Sequence, residues 1–410
     1  MLRTTTETEM KGKKGILVAI WLLQVVNYID RVVLGFAGPA MMQTLHLNPQ
    51  TFGVILSAFA VGYLVSQMPG GWLADRFGTR VVLVVAPLFW ALLTGLTGLF
   101  TGVAILVFVR FAFGVSEGLS NPAIYKLVGD TFDERERAQA VAWWATAIAA
   151  APALSGPLVG TLLTSFGWKA VFVMLAAPAI AIAVLNSVLL PKKAEVERAV
   201  GTTDEVRIPF RILAQQPALW LISGVFCFWN AAYWGLLGWM PSYLALERHI
   251  DLKSAGMLGG IPYVFGVIGL IVTGWLGRGP MLKQRPQLLS GINLLGALCL
   301  FAAYYSNTLQ LCIAGLCGAA FCIYGGLGTY GTLVLDFAPK EARAAYAGIV
   351  ATVGMIGSVL APLVIGTLVK DTGTFASGFG AMMASLFVAG CCGFALVKHA
   401  PARLQPVTGA

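Results

Sequence analysis

The sequence predicts an all-α membrane protein in which twelve transmembrane helices form two pseudo-symmetric six-helix bundles. Three observations predict it. The first is composition: 58% of the 410 residues are hydrophobic and 11% charged, too little polar surface for a soluble chain of this size. The second is a series of apolar runs, each long enough to cross the roughly 30 Å hydrocarbon core of a bilayer. The third is an internal repeat that divides the chain near its middle.

The runs fall at residues 15–42, 50–74, 79–100, 103–126, 138–164 and 168–190, and resume at 216–245, 254–277, 286–306, 309–335, 343–369 and 374–397. The first six define an N-terminal bundle over residues 1–190, the last six a C-terminal bundle over 216–410. Between them, residues 191–215 carry Lys192, Lys193, Glu195, Glu197, Arg198, Asp204, Glu205, Arg207 and Arg211. This stretch reads as a cytoplasmic linker. With the N-terminus in the cytoplasm, 21 Lys and Arg fall on that side, four (Lys169, Arg248, Lys253, Lys370) on the other, and Arg31 and Arg110 within spans. Positive charge collects on the cytoplasmic side, so both termini are expected there. The first run is too long for a signal peptide and lacks a cleavage site. The loop after it, residues 43–49, is short, and no Asn-x-Ser/Thr sequon occurs.

The repeat rests on a nearly constant offset. At 206 residues, Asp130, Arg137, Ala138, Ala145, Thr146, Gly160, Thr161, Leu162 and Gly167 meet Asp336, Arg343, Ala344, Ala351, Thr352, Gly366, Thr367, Leu368 and Gly373. At 203, Asn27, Leu34 and Gly35 meet Asn230, Leu237 and Gly238, and Gly71-Trp72-Leu73 meets Gly274-Trp275-Leu276. Parallel repeats in a membrane place a pseudo-two-fold axis along the normal and a substrate site near the midplane between the halves.

Composition also narrows function. The excess of 27 Lys and Arg over 18 Asp and Glu sits in short loops rather than on one face, so no nucleic-acid partner is expected. The seven cysteines lie in apolar runs of the second half without metal-ligand spacing, and read as small packing residues. His46, His249 and His399 lie near helix ends, which leaves no buried histidine for a proton relay. No nucleophile–base pair, phosphate loop or signalling domain appears, so an enzyme or receptor is not expected, and no cofactor or metal is implied. The expected partners are the lipid bilayer and a small substrate, and a monomer suffices.

The chemistry points to Asn27-Tyr28-Ile29-Asp30-Arg31, inside the first span. Ionised side chains in mid-membrane are expensive and mark substrate or proton pathways. Where span 1 has Asp30 and Arg31, span 7 has Tyr233 and Trp234; where span 4 has Arg110 and Glu117, span 10 has Leu316 and Ile323. All four charges deep in the membrane therefore belong to the first half. Arg110 and Glu117 are seven residues apart, on one helix face about 10 Å apart along the axis. Arg can hold a carboxylate through two parallel hydrogen bonds, as Lys cannot. Burial disfavours an ionised acid and a nearby arginine favours it, so Asp30 and Glu117 are placed to exchange protons. A proton on either acid would release Arg31 or Arg110 to bind an anion. Tyr28 shares a helix face with Arg31, and Tyr63 stands in the middle of span 2. Asn230, Tyr233 and Trp234 are the second-half candidates for substrate contact.

The junction after span 2 reads Gly71-Trp72-Leu73-Ala74-Asp75-Arg76-Phe77-Gly78-Thr79-Arg80. Its glycines, with Asp75 between Arg76 and Arg80, suggest close helix approach and a charge latch. The second copy, Gly274-Trp275-Leu276-Gly277-Arg278, has no acid, so a latch is not expected there. This pattern resembles the loop signature of the major facilitator superfamily, and the resemblance covers all twelve spans. Within that superfamily the chain is similar to the anion:cation symporter family in Tyr28-Ile29-Asp30-Arg31, Tyr63, Arg110 through Glu117 to Asn121-Pro122, and Trp239-Met240-Pro241-Ser242-Tyr243-Leu244.

The resemblance implies that Arg31 contacts a substrate carboxylate with help from Tyr28 and Tyr63. It implies too that Asp30 and Glu117 carry protons with Arg110 as their partner, and that Gly71, Asp75, Arg76 and Arg80 take part in gating. The basic residue that glutamate carriers place in span 7 is missing, which points to a monocarboxylate. Eukaryotic proteins that this chain resembles usually carry a longer, glycosylated loop after span 1, and with the short loop here the resemblance implies a bacterial inner-membrane protein. The expected function is proton-coupled symport of a small organic monocarboxylate such as a sugar acid. The alternative is exchange of an organic anion or organic phosphate without net proton coupling.

Overall fold

The computed structural model describes residues 2–132, 134–192, 210–339 and 343–399. Most of the charged linker, including Lys193, Glu195, Glu197, Arg198, Asp204, Glu205 and Arg207, lies outside the described residues. The architecture is all-α. The first half contains α1 (Leu2–Thr44), α2 (Pro49–Phe77), α3 (Thr79–Leu99), α4 (Val103–Gly118), α5 (Ser120–Thr131) and α6 (Glu134–Leu189). The second half contains the short α7 (Phe210–Ala214), α8 (Pro217–Ser242), α9 (Leu252–Arg278), α10 (Arg285–Tyr305), α11 (Leu309–Phe337), α12 (Arg343–Thr372) and α13 (Ala376–Leu396).

Eleven of the described helices are long and apolar enough to cross a membrane. One of these, Gln139–Leu189, has 51 residues, far more than the roughly 20 that one crossing needs. It breaks at Gly167, whose φ of 74° and ψ of 163° are non-helical. A residue with a side chain rarely adopts that conformation. The two arms make two crossings, and twelve spans result. Span 4 comprises α4 and α5, which run on through Leu119 at helical angles (φ −64°, ψ −26°) with one helical hydrogen bond missing. Pro122 explains it, because proline has no N–H to bond the carbonyl four residues back, that of Gly118.

The chain divides into two compact units. One is Met1–His46 with Ala58–Thr203; the other is Leu47–Ser57 with Asp204–Ala410. The first turns of α2 thus group with the second unit. In the first unit α1 and α3 both pack on α6. In the second, α9 packs on α11, α8 on α12 and α13, and α10 on α11 and α13. Repeat partners share unusual backbone: Gly167 and Gly373 have φ of 74° and 73°, and His46 and His249 have φ of 52° and 54°. Non-glycine residues seldom take positive φ, so matching values at a spacing of 203 mark a common local fold. Large apolar side chains such as Phe89, Leu92, Leu99 and Phe108 lie exposed, as a surface facing lipid requires.

Glycine sets the closest approach in the first unit. A Cβ at Gly62 would stand 2.0 Å from the Phe111 carbonyl oxygen, and one at Gly114 would stand 2.1 Å from that of Phe59. Gly118 faces Tyr63 and Ser66, and Gly70 faces Leu119, in the same way. Without a hydrophobic drive between helices in lipid, small residues permit the backbone contact that holds them. The α2–α4 seam places Tyr63 beside the Glu117 region.

Gly114→Val should therefore force α2 and α4 apart. Overpacking of this kind costs about 1–3 kcal/mol, so the purified variant should melt several degrees lower and transport less. Gly71→Ala is the control for melting alone, because the nearest atom to its Cβ would be that of Pro122, 3.9 Å away. Equal melting temperatures for Gly114→Val and wild type would remove the seam from the account.

Candidate functional site

Among the described residues, the buried charged side chains are Asp30, Arg31, Arg110 and Glu117. All four belong to the first unit. The Arg31 guanidinium is held by Glu117: its Nε donates to Glu117 Oε2 at 3.1 Å and its Nη2 to the same oxygen at 2.7 Å. Nη2 also donates to Asn27 Oδ1 at 3.2 Å, one helical turn back along α1. Three rings enclose the guanidinium, with centroids 4.3 Å away for Tyr28, 4.9 Å for Tyr63 and 5.3 Å for Phe59. Arginine suits this place because a planar, weakly hydrated cation stacks on aromatic faces while its edge still donates. Glu117 Oε1 has no hydrogen-bond partner, so the carboxylate is only half satisfied.

Asp30 and Arg110 complete the cluster differently. Neither carboxylate oxygen of Asp30 makes a hydrogen bond, nor do Nε and Nη2 of Arg110. Arg110 lies against the rings of Phe113 and Phe172, at 5.2 Å and 4.9 Å. Asp30, Arg110 and Glu117 act on one another through space. Sequence adjacency suggests Asp30 as the partner of Arg31, but neighbouring residues on a helix point in different directions. Glu117, on another helix, takes that part.

Tyr28, Arg31, Tyr63 and Glu117 are therefore brought together, with Asp30 and Arg110 in the same charged cluster. Tyr63 accepts a hydrogen bond at its hydroxyl from Asn121 Nδ2, and Asn121 Oδ1 accepts one from Gln24 Nε2 at 3.4 Å. Gln24 is missing from the residues predicted for the site, and Asn27, though inside the stretch singled out in the sequence, is given no contact of its own there. The signal for Gln24 was available, as a polar side chain seven residues before Arg31 in an apolar helix.

Asn230 and Tyr233 lie in the second unit, inside a buried aromatic group. Tyr233 stacks on Trp229 at 5.3 Å and meets Tyr324 edge-on at 5.3 Å. Trp229 donates its indole N–H to the carbonyl of Ile323 at 2.9 Å, the repeat partner of Glu117. The motif at the end of α8 has structural work to do. Trp239 donates to the Pro362 carbonyl at 3.1 Å, and the Tyr243 hydroxyl accepts from Arg248 Nε at 2.7 Å. Arg248 then binds the carbonyls of Ala303, Tyr304 and Ser306, closing the C-terminal end of α10.

The predicted gating stretch is not a loop. Helix α2 continues through Phe77, and Gly78 alone, at φ 89°, separates it from α3. Asp75 does not pair with the flanking arginines. Its Oδ1 lies 3.0 Å from Lys126 Nζ, which also reaches Asp130 at 3.5 Å. Arg76 lies over the rings of Trp72 and Phe77, and Arg80 donates to the Ser187 carbonyl. Gly70, rather than Gly71, makes the tight approach. In the second copy Asp336, the repeat partner of Asp130, meets Arg285 at 2.5 Å. Sequence reasoning missed both Lys126 and Arg285, because each partner comes from a different helix.

Membrane-crossing helices built as a repeat, with charge buried in the interior of one unit, define a membrane carrier rather than an anchored enzyme. Residues 20–362 match the model of the Major Facilitator Superfamily, and the chain belongs to that family of transporters. It is 30% identical over 393 residues to a probable galactarate/D-glucarate transporter of Bacillus subtilis, covering 87% of this chain and 85% of the relative. It is 27% identical over 383 residues to the hexuronate transporter of the same organism, covering 90% and 91%. The fold is similar to that of a bacterial homolog of the human lysosomal transporter Spinster, with a TM-score of 0.80 and 18% identity, over 95% of this chain and 99% of that one.

The Asp75–Lys126–Asp130 group yields a direct test. Asp75 is 68% exposed and Lys126 37%, so the pair contributes well under about 1 kcal/mol to stability. Asp75→Asn and Lys126→Ala should each leave expression and melting unchanged while lowering the rate of uptake in whole cells. Wild-type uptake kinetics in both variants would reduce these residues to topological anchors.

Proposed function

We propose that this chain is a proton-coupled symporter of a small organic monocarboxylate, a sugar acid or a close chemical relative, working by alternating access. The observation that carries the reading is the ion pair itself: Arg31, its guanidinium between the rings of Tyr28 and Tyr63, is occupied by Glu117. An anion can take Arg31 only if Glu117 lets go. A proton on Glu117 removes its charge and frees the guanidinium, so proton and substrate bind together because each removes a cost the other would impose. Asp30, with no hydrogen bonds of its own, is the second proton carrier in this scheme, and Arg110 sets the field for both acids.

The named relatives support an acidic, hydroxylated substrate. Galactarate and glucarate carry two carboxylates and a hexuronate one; the monocarboxylate reading rests on the missing basic residue in span 7 and is supported by Arg31, which among the described residues is the buried cation between two tyrosine rings. Asn230 and Tyr233 are proposed to contribute uncharged substrate contacts, and Gly71, Asp75, Arg76 and Arg80 to belong to the cytoplasmic gate. The carrier is proposed to act as a monomer, without a cofactor, in a bacterial inner membrane with both termini in the cytoplasm.

Two tests follow. Arg31→Ala should abolish carboxylate binding, since one partner of a buried pair is worth roughly 3–5 kcal/mol. Arg31→Lys should fail as well, because an ammonium cannot present two donors in a plane. Near-normal affinity in Arg31→Ala, measured by thermal shift against a panel of organic acids, would sink the assignment.

The second test concerns coupling. Apparent affinity of the wild type should weaken as pH rises, because the ionised acid competes with substrate for Arg31 and the neutral acid does not. Glu117→Gln should still bind, with a flatter pH profile, and keep counterflow exchange in proteoliposomes. It should lose accumulation driven by an inward pH gradient. Gradient-driven accumulation that persists in Glu117→Gln excludes Glu117 as the coupling acid. Wild-type transport indifferent to the gradient favours the anion exchanger.

A further inference from the structure

Gln24 lies seven residues before Arg31, on the same face of α1 and about 10 Å further along its axis. It is 1% exposed, and its Oε1 has no hydrogen-bond partner. Its Nε2 donates to Asn121 Oδ1, Asn121 donates to the Tyr63 hydroxyl, and the Tyr63 ring lies 4.9 Å from the Arg31 guanidinium. An unbroken polar path thus runs from the cation to a buried amide with an unused acceptor.

A leucine at position 24 would fill this space in an apolar helix without the cost of an unsatisfied carbonyl. The amide is therefore the informative part of the side chain. Its two ends differ in use: the N–H side is spent on Asn121, which fixes the amide's direction, and the carbonyl side is left to accept. The groups that donate to such an acceptor while sharing a molecule with a carboxylate are hydroxyls. The distance from Arg31 is of the order of an extended six-carbon acid.

We propose that Gln24, oriented by Asn121, is the hydroxyl-recognising end of the substrate site and selects polyhydroxylated acids over bare carboxylates of equal length. This inference rests on the reading that Arg31 holds the carboxylate. Its chemistry is complementary: the cation supplies attraction for any acid, and the buried amide supplies discrimination, since a site built to bind a hydroxyl rejects an analogue that lacks one.

The test compares gluconate, galactonate and glucuronate with hexanoate, binding each to purified full-length protein. Wild type should prefer at least one of the three hydroxylated acids to hexanoate. Gln24→Leu should lower the affinity for that acid tenfold or more and leave hexanoate unchanged, collapsing the ratio. Asn121→Ala, which frees the amide to turn, should lower the same affinity severalfold and serves if Gln24→Leu is poorly folded. Unchanged preference in both variants, or equal loss for both kinds of acid, overturns the role of Gln24 while Arg31 keeps its own. Failure of wild type to bind any of the four acids overturns both readings.

Discussion

The rest of the first unit depends on a single ion pair shut away from water. Arg31 and Glu117 come from α1 and from α4, and their side chains are 4% and 0% exposed. Removing two charges from water is expensive, and the cost is recovered only through good geometry and further hydrogen bonds. The first unit supplies part of that geometry: Asn27 adds an acceptor, and three rings supply their negative faces. It withholds the rest, because Glu117 Oε1 and both oxygens of Asp30 stay without partners. A fully satisfied network would be rigid. This one leaves buried acceptor oxygens open.

Backbone features hold this arrangement. The glycine seam lets α2 and α4 touch, so that Phe59 and Tyr63 flank the guanidinium rather than pack beyond reach. Just past Glu117, Pro122 leaves the Gly118 carbonyl without its helical hydrogen bond while Leu119 keeps helical angles (φ −64°, ψ −26°), and Asn121 donates to the Tyr63 hydroxyl.

The two repeats share backbone but not chemistry. Gly167 with Gly373, and His46 with His249, keep their φ values across some two hundred residues. Yet the positions of Asp30, Arg110 and Glu117 become Tyr233, Leu316 and Ile323, all buried. The second unit replaces ion pairing with stacked rings, from Phe226 on Tyr330 at 4.1 Å to Trp229 on Tyr233. One duplicated scaffold thus carries charge in one copy and an aromatic interior in the other. At the ends of the helices that carry them the copies converge again, because Asp130 and Asp336 both meet a basic residue.

The sequence by itself determined the twelve crossings, the duplication and the confinement of buried charge to one half. Each follows from properties that survive without coordinates: hydropathy over a bilayer's thickness, a constant offset, and the expense of a charge in lipid. It also marked Tyr28, Asp30, Arg31, Tyr63, Arg110 and Glu117, since polar side chains in apolar helices stand out individually. Only the tertiary structure decided who pairs with whom. Glu117 rather than Asp30 takes Arg31, Lys126 rather than Arg76 takes Asp75, and Arg285 meets Asp336 where no latch was expected. Pairing depends on the rotation and register of one helix against another. A shift of one residue turns a side chain by about 100°, and no local pattern encodes that choice.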